Sequence, residues 1–227
     1  SNSDQAESGV FPSSPMQTEF AKTLAEELKS IGLKDIFLSE HSYVCGRIPA
    51  SKGYENFPSV GFLAHMDTVD EVTGKNVNPQ VFKNYDGSVL NIGNGIVLDP
   101  AKDKHLAESV GQTIITTDGS TLLGADDKAG IAAIMTALEN IIKNDIPHGQ
   151  IEVIFSPDEE TGHGMDKVPT EWIQSKQCYT LDGGHIGELE AECFTAYKSE
   201  VTFTGISTHT GTARPNMVNS ITMLSAF

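Results

Sequence analysis

Residues 59–67 read Ser-Val-Gly-Phe-Leu-Ala-His-Met-Asp, an apolar run from Ser59 to Ala64 that ends at His65-Met66-Asp67. The run does not alternate between apolar and polar residues, which is typical of a strand that is buried on both faces of a sheet. Strands of this kind occur in parallel sheets that helices cover. The stretch therefore predicts a buried parallel strand with a histidine and an aspartate at its carboxyl end.

Two further strand-like runs repeat this arrangement. Ile151 to Phe155 is followed by Pro157-Asp158-Glu159-Glu160, and Tyr179 to Leu181 is followed by Asp182. Residues 129–142 are apolar nearly all round, which predicts a helix that is buried on most sides. Because strands and helices alternate, we predict an α/β fold with a mostly parallel or mixed sheet covered by helices.

A first helix is predicted just before these strands. Ser14 is expected to cap it, Pro15 to occupy its first position, and Gln17 to complete a capping box. Apolar residues then recur at helical spacing, at Phe20, Leu24, Leu28 and Ile31. This pattern predicts one apolar face along the helix.

Shorter elements complete the expected organisation. Strands are predicted at residues 43–48, 89–91, 95–98 and 113–116. After Ala196 the pattern changes, since residues 200–204 alternate as in an exposed antiparallel strand and residues 214–227 are helix-like. We therefore predict one large domain over residues 1–197 and the start of a second over residues 198–227.

Composition excludes several classes of partner. The 227-residue chain has a formal net charge of −16, whereas phosphate binding needs clustered Lys and Arg, so nucleic acid is not an expected partner. No apolar run approaches the ~20 residues of a membrane helix, so no membrane partner is expected either. Cys45, Cys178 and Cys193 are odd in number and widely spaced, which favours a reducing cytoplasm over a disulfide framework or thiolate zinc site.

The polar residues that follow the strands are the candidates for chemistry. In open α/β sheets, ligands collect beyond the carboxyl ends of the strands. The candidates there are His65, Asp67, Glu159, Glu160, Asp182 and, after a fourth run, Asp118 and Asp126-Asp127. We expect these side chains to meet in one crevice.

Such a set of carboxylates favours bound cations. Two carboxylates 4 Å apart repel by roughly 1 kcal/mol even in water, and by more at a lower dielectric, which divalent ions would relieve. A histidine with several carboxylates suits zinc. Two metals ~3.5–4 Å apart can share a bridging carboxylate and an activated water, beside which a free carboxylate acts as general base. Taken singly the motifs are weak, because a lone His-x-Asp is more often a core or surface pair and a lone Glu-Glu is usually solvated.

Several longer motifs carry a family resemblance. They are residues 61–68 (GFLAHMDT), 74–77 (GKNV), 84–87 (NYDG), 116–119 (TTDG), 122–130 (LLGADDKAG), 157–160 (PDEE), 181–184 (LDGG) and 187–190 (GELE). From about Pro15 onward the sequence resembles the peptidase T family of tripeptide aminopeptidases. That family lies within the larger group of two-zinc exopeptidases and deacylases that includes glutamate carboxypeptidase and aminoacylase.

The resemblance implies a ligand set for two zinc ions. His65 and Asp182 would bind one ion, Asp126 would bridge both, and Glu160 would bind the second. Asp127 is a weaker candidate than Asp126 for the bridge. The peptide bond after the bridging aspartate is expected to be cis, as in relatives.

The resemblance also implies roles beyond the metal ligands. Glu159 would be the general base, and Asp67 would hydrogen-bond the far ring nitrogen of His65 and fix its tautomer. Residues 1–197 would form an incomplete catalytic zinc-peptidase domain, and residues 198–227 the start of an α+β lid domain that can mediate homodimers. His209 would contact the substrate from that lid.

The expected activity is hydrolysis of the N-terminal residue from tripeptides. Relatives carry a last zinc histidine well beyond the position of Phe227, so we expect little or no peptidase activity from the 227 residues alone. Two alternatives stay open: a related two-zinc deacylase or dipeptidase, and a non-catalytic metal-binding or interaction module.

Overall fold

The computed structural model describes residues 9–184, 187–193, 195–197 and 199–227. It divides into two compact units, Ser1–Ile186 and Gly187–Phe227. The domain boundary predicted between residues 197 and 198 falls at Lys198, which lies outside the described residues, and stays a prediction.

Helices and strands are interspersed along the first unit. In chain order the described residues form α1 Pro15–Ser30, β1 Asp35–Leu38, β2 Val44–Ile48, β3 Val60–His65, β4 Gln80–Phe82, β5 Leu90–Gly93, β6 Ile96–Leu98, α2 Lys104–Glu108, β7 Ile114–Thr116, α3 Ala125–Lys143, β8 Ile151–Ser156, β9 Gln177–Thr180, a 3₁₀ turn Thr210–Thr212, α4 Ala213–Asn216 and α5 Ser220–Ala226. The predicted strands at residues 43–48, 59–64, 151–155 and 179–181 correspond to β2, β3, β8 and β9.

The main sheet has five strands in the order β1-β2-β8-β3-β9. Strand β3 runs parallel to both β8 and β9, and β2 runs antiparallel to β1 and β8. The sheet is therefore mixed, with its parallel part at the strands that carry the candidate residues. His65 lies opposite Ser156 in the parallel β3–β8 register, so the residues that follow these two strands emerge at the same edge of the sheet.

Side chains alternate between the two faces of this sheet. One face packs against α1 and α3 and includes Val153 and Phe155. The other face includes Tyr43, Cys45 and Ile154 and packs against Val168, Trp172 and Ile173 rather than a helix. The predicted helix-covered α/β fold is thus confirmed, with both long helices on one face.

Helix α1 begins at Pro15, as predicted, but without the predicted capping box. The Ser14 hydroxyl is buried and has no hydrogen-bond partner. The Gln17 amide is fully buried and bonds instead to Ser13 and Asp158, because a long-range partner competes for it. Helix α3 is bounded by Ala125 and Lys143, but Asp126 and Asp127 have non-helical backbone angles, so its regular part begins next to the predicted residue 129.

A small insertion separates β3 from α3. Strands β4 and β7 pair with one another, and β5 pairs with β6, each as a two-stranded antiparallel sheet. These pieces and α2 share a cluster of buried side chains: Tyr85, Leu90, Ile92 and Leu106. The strands predicted at residues 89–91, 95–98 and 113–116 are confirmed as β5, β6 and β7.

The second unit differs from its prediction. Residues 199–205 contain no strand, and the extended contact described in this unit is a single antiparallel bridge between Ile206 and Val218. Alternation alone does not make a strand, because its backbone groups also need a partner strand. The helix-like run predicted at residues 214–227 is helical only in part: α5 covers Ser220–Ala226, while Arg214 and Pro215 within α4 have non-helical backbone angles. Across the described parts of both units, no helix is long and apolar enough to span a membrane.

Candidate metal centre

His65, at the carboxyl end of β3, is the centre of the candidate site. Its side chain is 2% exposed, and its two ring nitrogens face different partners. Nδ1 lies 3.3 Å from Oδ1 of Asp67 and 3.1 Å from the main-chain oxygen of Asp67. Acceptors on this side favour the tautomer that carries a proton on Nδ1 and leaves Nε2 as a ligand atom.

Nε2 of His65 faces a group of carboxylates. It lies 2.9 Å from Oδ1 of Asp126, 3.7 Å from Oδ2 of Asp182 and 3.8 Å from Oε2 of Glu159. Asp126 lies at the start of α3, Asp182 follows β9, and Glu159 follows β8, so all three lie at one edge of the sheet. The strand-end convergence expected from the sequence is therefore present.

Two sets of ligand atoms lie close enough to hold a cation. Atoms of His65, Asp126 and Glu160 lie within 4.8 Å of one another, and so do atoms of His65, Asp127 and Asp182. The structure thus brings together all four side chains expected to bind zinc and adds Asp127. Which aspartate bridges two ions stays a prediction.

Asp126 and Asp127 differ sharply in their surroundings. The Asp126 side chain is 71% exposed. Asp127 is buried, and its carboxylate accepts hydrogen bonds from the main-chain N–H of His65 at 3.1 Å and of Gly130 at 3.2 Å. The peptide bond between the two aspartates is cis, as the resemblance implies. Asp127 therefore ties the start of α3 to the end of β3, while Asp126 stays open toward the crevice.

Asp67 has a second role that the sequence did not indicate. Its fully buried carboxylate accepts the main-chain N–H of Glu159 on Oδ1 at 3.0 Å and the N–H of Glu160 on Oδ2 at 3.1 Å. One side chain thus orients His65 and also holds the backbone of the Glu159-Glu160 pair.

The electrostatics of the cluster favour a cation. Burial lowers the pKa of His65, but the hydrogen bond and charge of Asp67, with Asp182 and Asp126, outweigh it and raise the pKa to about 9. Burial, together with Asp182, raises the pKa of Asp127 to about 6. Burial and neighbouring acids such as Asp126 also raise the pKa of Glu160 and of Asp182.

The donor set fits zinc. One imidazole nitrogen and several carboxylate oxygens are ligands that zinc accepts, and a divalent ion would relieve the repulsion between these neighbouring carboxylates. The residues are thus chemically suited to the group that the resemblance implies.

The two remaining candidates, Asp118 and His209, lie in other elements of the chain. Asp118 accepts hydrogen bonds from Asn78 and Ser120 in the insertion and belongs to neither ligand set, so its expected convergence is wrong. His209 lies in the second unit, where its Nδ1 accepts the N–H of Gly211 at 3.0 Å. Its substrate contact stays a prediction.

Comparisons with known proteins agree with the motifs. Residues 116–204 match the sequence profile of Peptidase family M20/M25/M40. The chain is 48% identical over 97% of its length to peptidase T of Listeria innocua, and 46% identical over 94% to peptidase T of Halothermothrix orenii. It spans about half the length of these curated relatives, 54% and 53% respectively.

Solved structures with similar folds include two peptidases. Aminopeptidase PepT from Bacillus cereus matches with a TM-score of 0.63 and 26% identity, over 92% of this chain and 50% of that one. A tripeptidase from Staphylococcus aureus matches with a TM-score of 0.53 and 26% identity, over 72% and 37% of the two chains. The predicted resemblance and the mixed α/β fold are confirmed.

Proposed function

Since the chain resembles the peptidase T family over nearly its whole length, we propose that it carries the metal-binding and proton-transfer groups of an aminopeptidase. The reaction is removal of the N-terminal residue from tripeptides with two zinc ions bound. The observation that supports it best is the imidazole of His65 facing Asp126, Asp182 and Glu159 within 4 Å at one sheet edge.

His65 would hold zinc through Nε2, with Asp126, Glu160 and Asp182 as the carboxylate ligands. When bound, zinc supplies a Lewis acid that polarises the scissile carbonyl and lowers the pKa of water. The chain's own contribution is to present the ligands in a fixed orientation. Asp67 does this for His65 by accepting the proton of Nδ1, which leaves Nε2 as the nitrogen that would give up its proton and bind the ion.

Glu159 is the proposed general base. Its carboxylate is half exposed and lies 3.8 Å from Nε2 of His65, while its main-chain N–H is held by Asp67. A carboxylate that is anchored through its backbone and open to solvent can take a proton from the attacking water. It then returns the proton to the leaving amine.

The same proposal assigns a substrate contact to His209 and a dimer contact to the lid segment after residue 198. Both contacts are proposed for the whole protein, since the curated relative is about twice as long as this chain.

The test is zinc content after dialysis against limiting zinc, measured by elemental analysis for the wild type and for Asp126→Ala. We expect the wild type to retain zinc and the variant to lose it. Glu159→Gln is the matched control, since it removes the base and keeps every proposed ligand. Its zinc content should equal that of the wild type.

Hydrolysis of a free tripeptide is assayed on the same samples, with the N-acetylated peptide beside it. Any turnover should fall about 10²–10⁴-fold in Glu159→Gln. It should also be absent with the blocked peptide, whereas a deacylase would prefer that peptide. A wild type that retains no zinc, or an Asp126→Ala variant that retains as much as the wild type, contradicts the proposal.

A further inference from the structure

Asp158 precedes the Glu159-Glu160 pair and is held in an unusual environment. It is 1% exposed and has a φ of 54°, in the left-handed region that few residues other than glycine adopt. A buried carboxylate in this conformation needs compensating contacts from the surrounding structure.

Those contacts come from the N-terminal edge of α1, about 140 residues away in sequence. The Gln17 amide meets Asp158 twice: Nε2 donates to Oδ1 at 2.6 Å, and Oε1 accepts the main-chain N–H at 3.0 Å. Ser13 adds its main-chain N–H to Oδ2 at 2.8 Å and its hydroxyl to Oδ1 at 2.5 Å. All three side chains are essentially inaccessible to solvent.

These contacts act on both the backbone and the side chain of Asp158. Once its N–H and carboxylate are fixed, the direction in which the chain leaves Asp158 is fixed as well. The next two N–H groups, those of Glu159 and Glu160, then point at the two oxygens of Asp67. The connection therefore runs from Gln17 through Asp158 and the glutamate pair to Asp67 and His65.

We infer that Gln17 and Ser13 are positioning residues, which act through Asp158 to set the backbone of Glu159 and Glu160 against Asp67. The inference deepens the proposed function, on which its catalytic meaning rests, since Glu160 is a proposed zinc ligand and Glu159 the proposed base. Neither Gln17 nor Ser13 touches the metal cluster.

The test separates this role from general support of the fold. Gln17→Leu removes the amide and keeps side-chain size, and Ser13→Ala is a milder second variant that removes only the hydroxyl. Leu28→Ala is the matched control, because Leu28 lies in the core face of the same helix and does not contact Asp158. Urea unfolding measures the loss of stability in each variant, so that the variants can be compared after this loss is taken into account.

Hydrogen exchange of the Glu159 and Glu160 amides, followed by NMR in the metal-free protein, is the first measurement. We expect both amides to lose protection in Gln17→Leu, to lose part of it in Ser13→Ala, and to keep it in Leu28→Ala once global stability is taken into account. Equal protection in Gln17→Leu and the wild type overturns the inference. So does an equal loss in Leu28→Ala, since that would be an effect on stability alone.

Zinc titration and the visible absorption of the Co²⁺-loaded protein are the second measurement. Loss of the positioning contacts should weaken zinc binding about 10- to 100-fold, the usual cost of losing an outer partner of a metal ligand, and change the Co²⁺ spectrum. Leu28→Ala should change neither. If the wild type binds no metal but its amides respond as expected, the positioning contact stands and the proposed function fails.

Discussion

At the scale of single residues, Asp67 joins two parts of the candidate centre, since one carboxylate meets Nδ1 of His65 and the N–H groups of Glu159 and Glu160. Asp67→Asn places an NH₂ donor where one of these acceptors was and removes the charge beside His65. In the metal-free protein we expect the pKa of His65 to fall from about 9 toward its ordinary 6.5, because Asp67 is the largest of the influences that raise it. An NMR titration of the His65 ring measures this shift.

Asp166→Asn is the control for this titration. Asp166 forms an exposed pair with His163, 2.8 Å apart, in the first unit. The change removes the same charge from the protein without touching His65, so the His65 titration should stay where it is. A His65 pKa that stays near 9 in Asp67→Asn would mean that the other carboxylates are enough to keep the imidazole protonated.

The raised pKa of His65 also predicts how stability depends on pH. The folded metal-free protein binds the imidazole proton more tightly than the unfolded chain does, with a pKa of about 9 against 6.5. The resulting stabilisation is fully present below pH 6.5 and is lost as the pH rises through 9. For a buried group the shift corresponds to about 3 kcal/mol.

Urea unfolding at pH 6 and at pH 9.5 tests this dependence, with chelator present. The nearby acids also contribute less to the stability of the fold as the pH rises, because their pKa values are raised. His65→Gln is therefore measured beside the wild type to isolate the contribution of the histidine. The difference in unfolding free energy between the two proteins should shrink by about 3 kcal/mol at the higher pH. Parallel profiles would contradict the assignment.

At the scale of elements, the pairing of β2 with β8 places Arg47 opposite Glu152. Glu152 is fully buried and accepts from Nε of Arg47 at 2.8 Å and from the main-chain N–H groups of Gln174 and Ser175. We expect Arg47→Met to reduce the unfolding free energy by roughly 3–5 kcal/mol, because it leaves a buried carboxylate without its cation.

A double-mutant cycle measures that coupling. Arg47→Met with Glu152→Met should cost less than the sum of the single changes, since the double variant no longer buries an unpaired charge. Lys22→Met, which breaks an exposed pair with Glu19 on α1, is the control and should cost under about 1 kcal/mol. Additive effects at Arg47 and Glu152 would show that the backbone donors alone satisfy the carboxylate.

The contact between α3 and the end of β9 gives a second prediction for elements. A Cβ added at Gly130 would lie 2.1 Å from the main-chain oxygen of Leu181, the residue before Asp182. Gly130→Ala must therefore push the helix away from Asp182. We expect a loss of roughly 1–3 kcal/mol in unfolding free energy and weaker zinc binding in a calorimetric titration.

Ala133→Gly separates these two effects. Ala133 is exposed on the same helix, so its change should cost about 1 kcal/mol through helix propensity and leave the zinc affinity unaltered. Equal zinc affinities for Gly130→Ala and the wild type would show that Asp182 adjusts to the moved helix.

The elements that the sequence predicts are those whose cause is local. Strands β3 and β8 are continuous apolar runs because both of their faces are covered, and this burial is visible in their composition. Strand β1 was not predicted, since it is a short, largely exposed edge strand. The partner of Gln17 was missed for another reason: the capping box is a local pattern, and a buried carboxylate distant in sequence competes for the same amide.

For the whole molecule, the site could be predicted because its residues stand at the ends of parallel strands, where topology alone brings them together. His65, Glu160 and Asp182 follow this rule. Asp118 is the exception, because β7 pairs with β4 in a separate small sheet and does not share an edge with β3, β8 and β9. Only the sheet order distinguishes these cases, and the sequence does not state that order.

The acidic balance of the molecule and its metal site lead to one prediction about the protein as a whole. With a net charge of −16 and several carboxylates in one crevice, the folded state holds negative charges close together that a bound cation would stabilise, whereas the unfolded chain separates them. Zinc should therefore stabilise the fold by about 2.7 kcal/mol per site at a concentration 100 times the dissociation constant. Thermal unfolding with zinc, and again after chelation, measures this gain.

Binding at neutral pH should also release protons, because His65 carries one in the metal-free protein and must lose it to offer Nε2. Calorimetric titrations in two buffers of different ionisation enthalpy count the protons released. His65→Gln removes this source, so its zinc binding should be both weaker and less dependent on the buffer. Stabilisation by zinc without proton release would place the ion away from His65, since only a deprotonated imidazole can be its ligand.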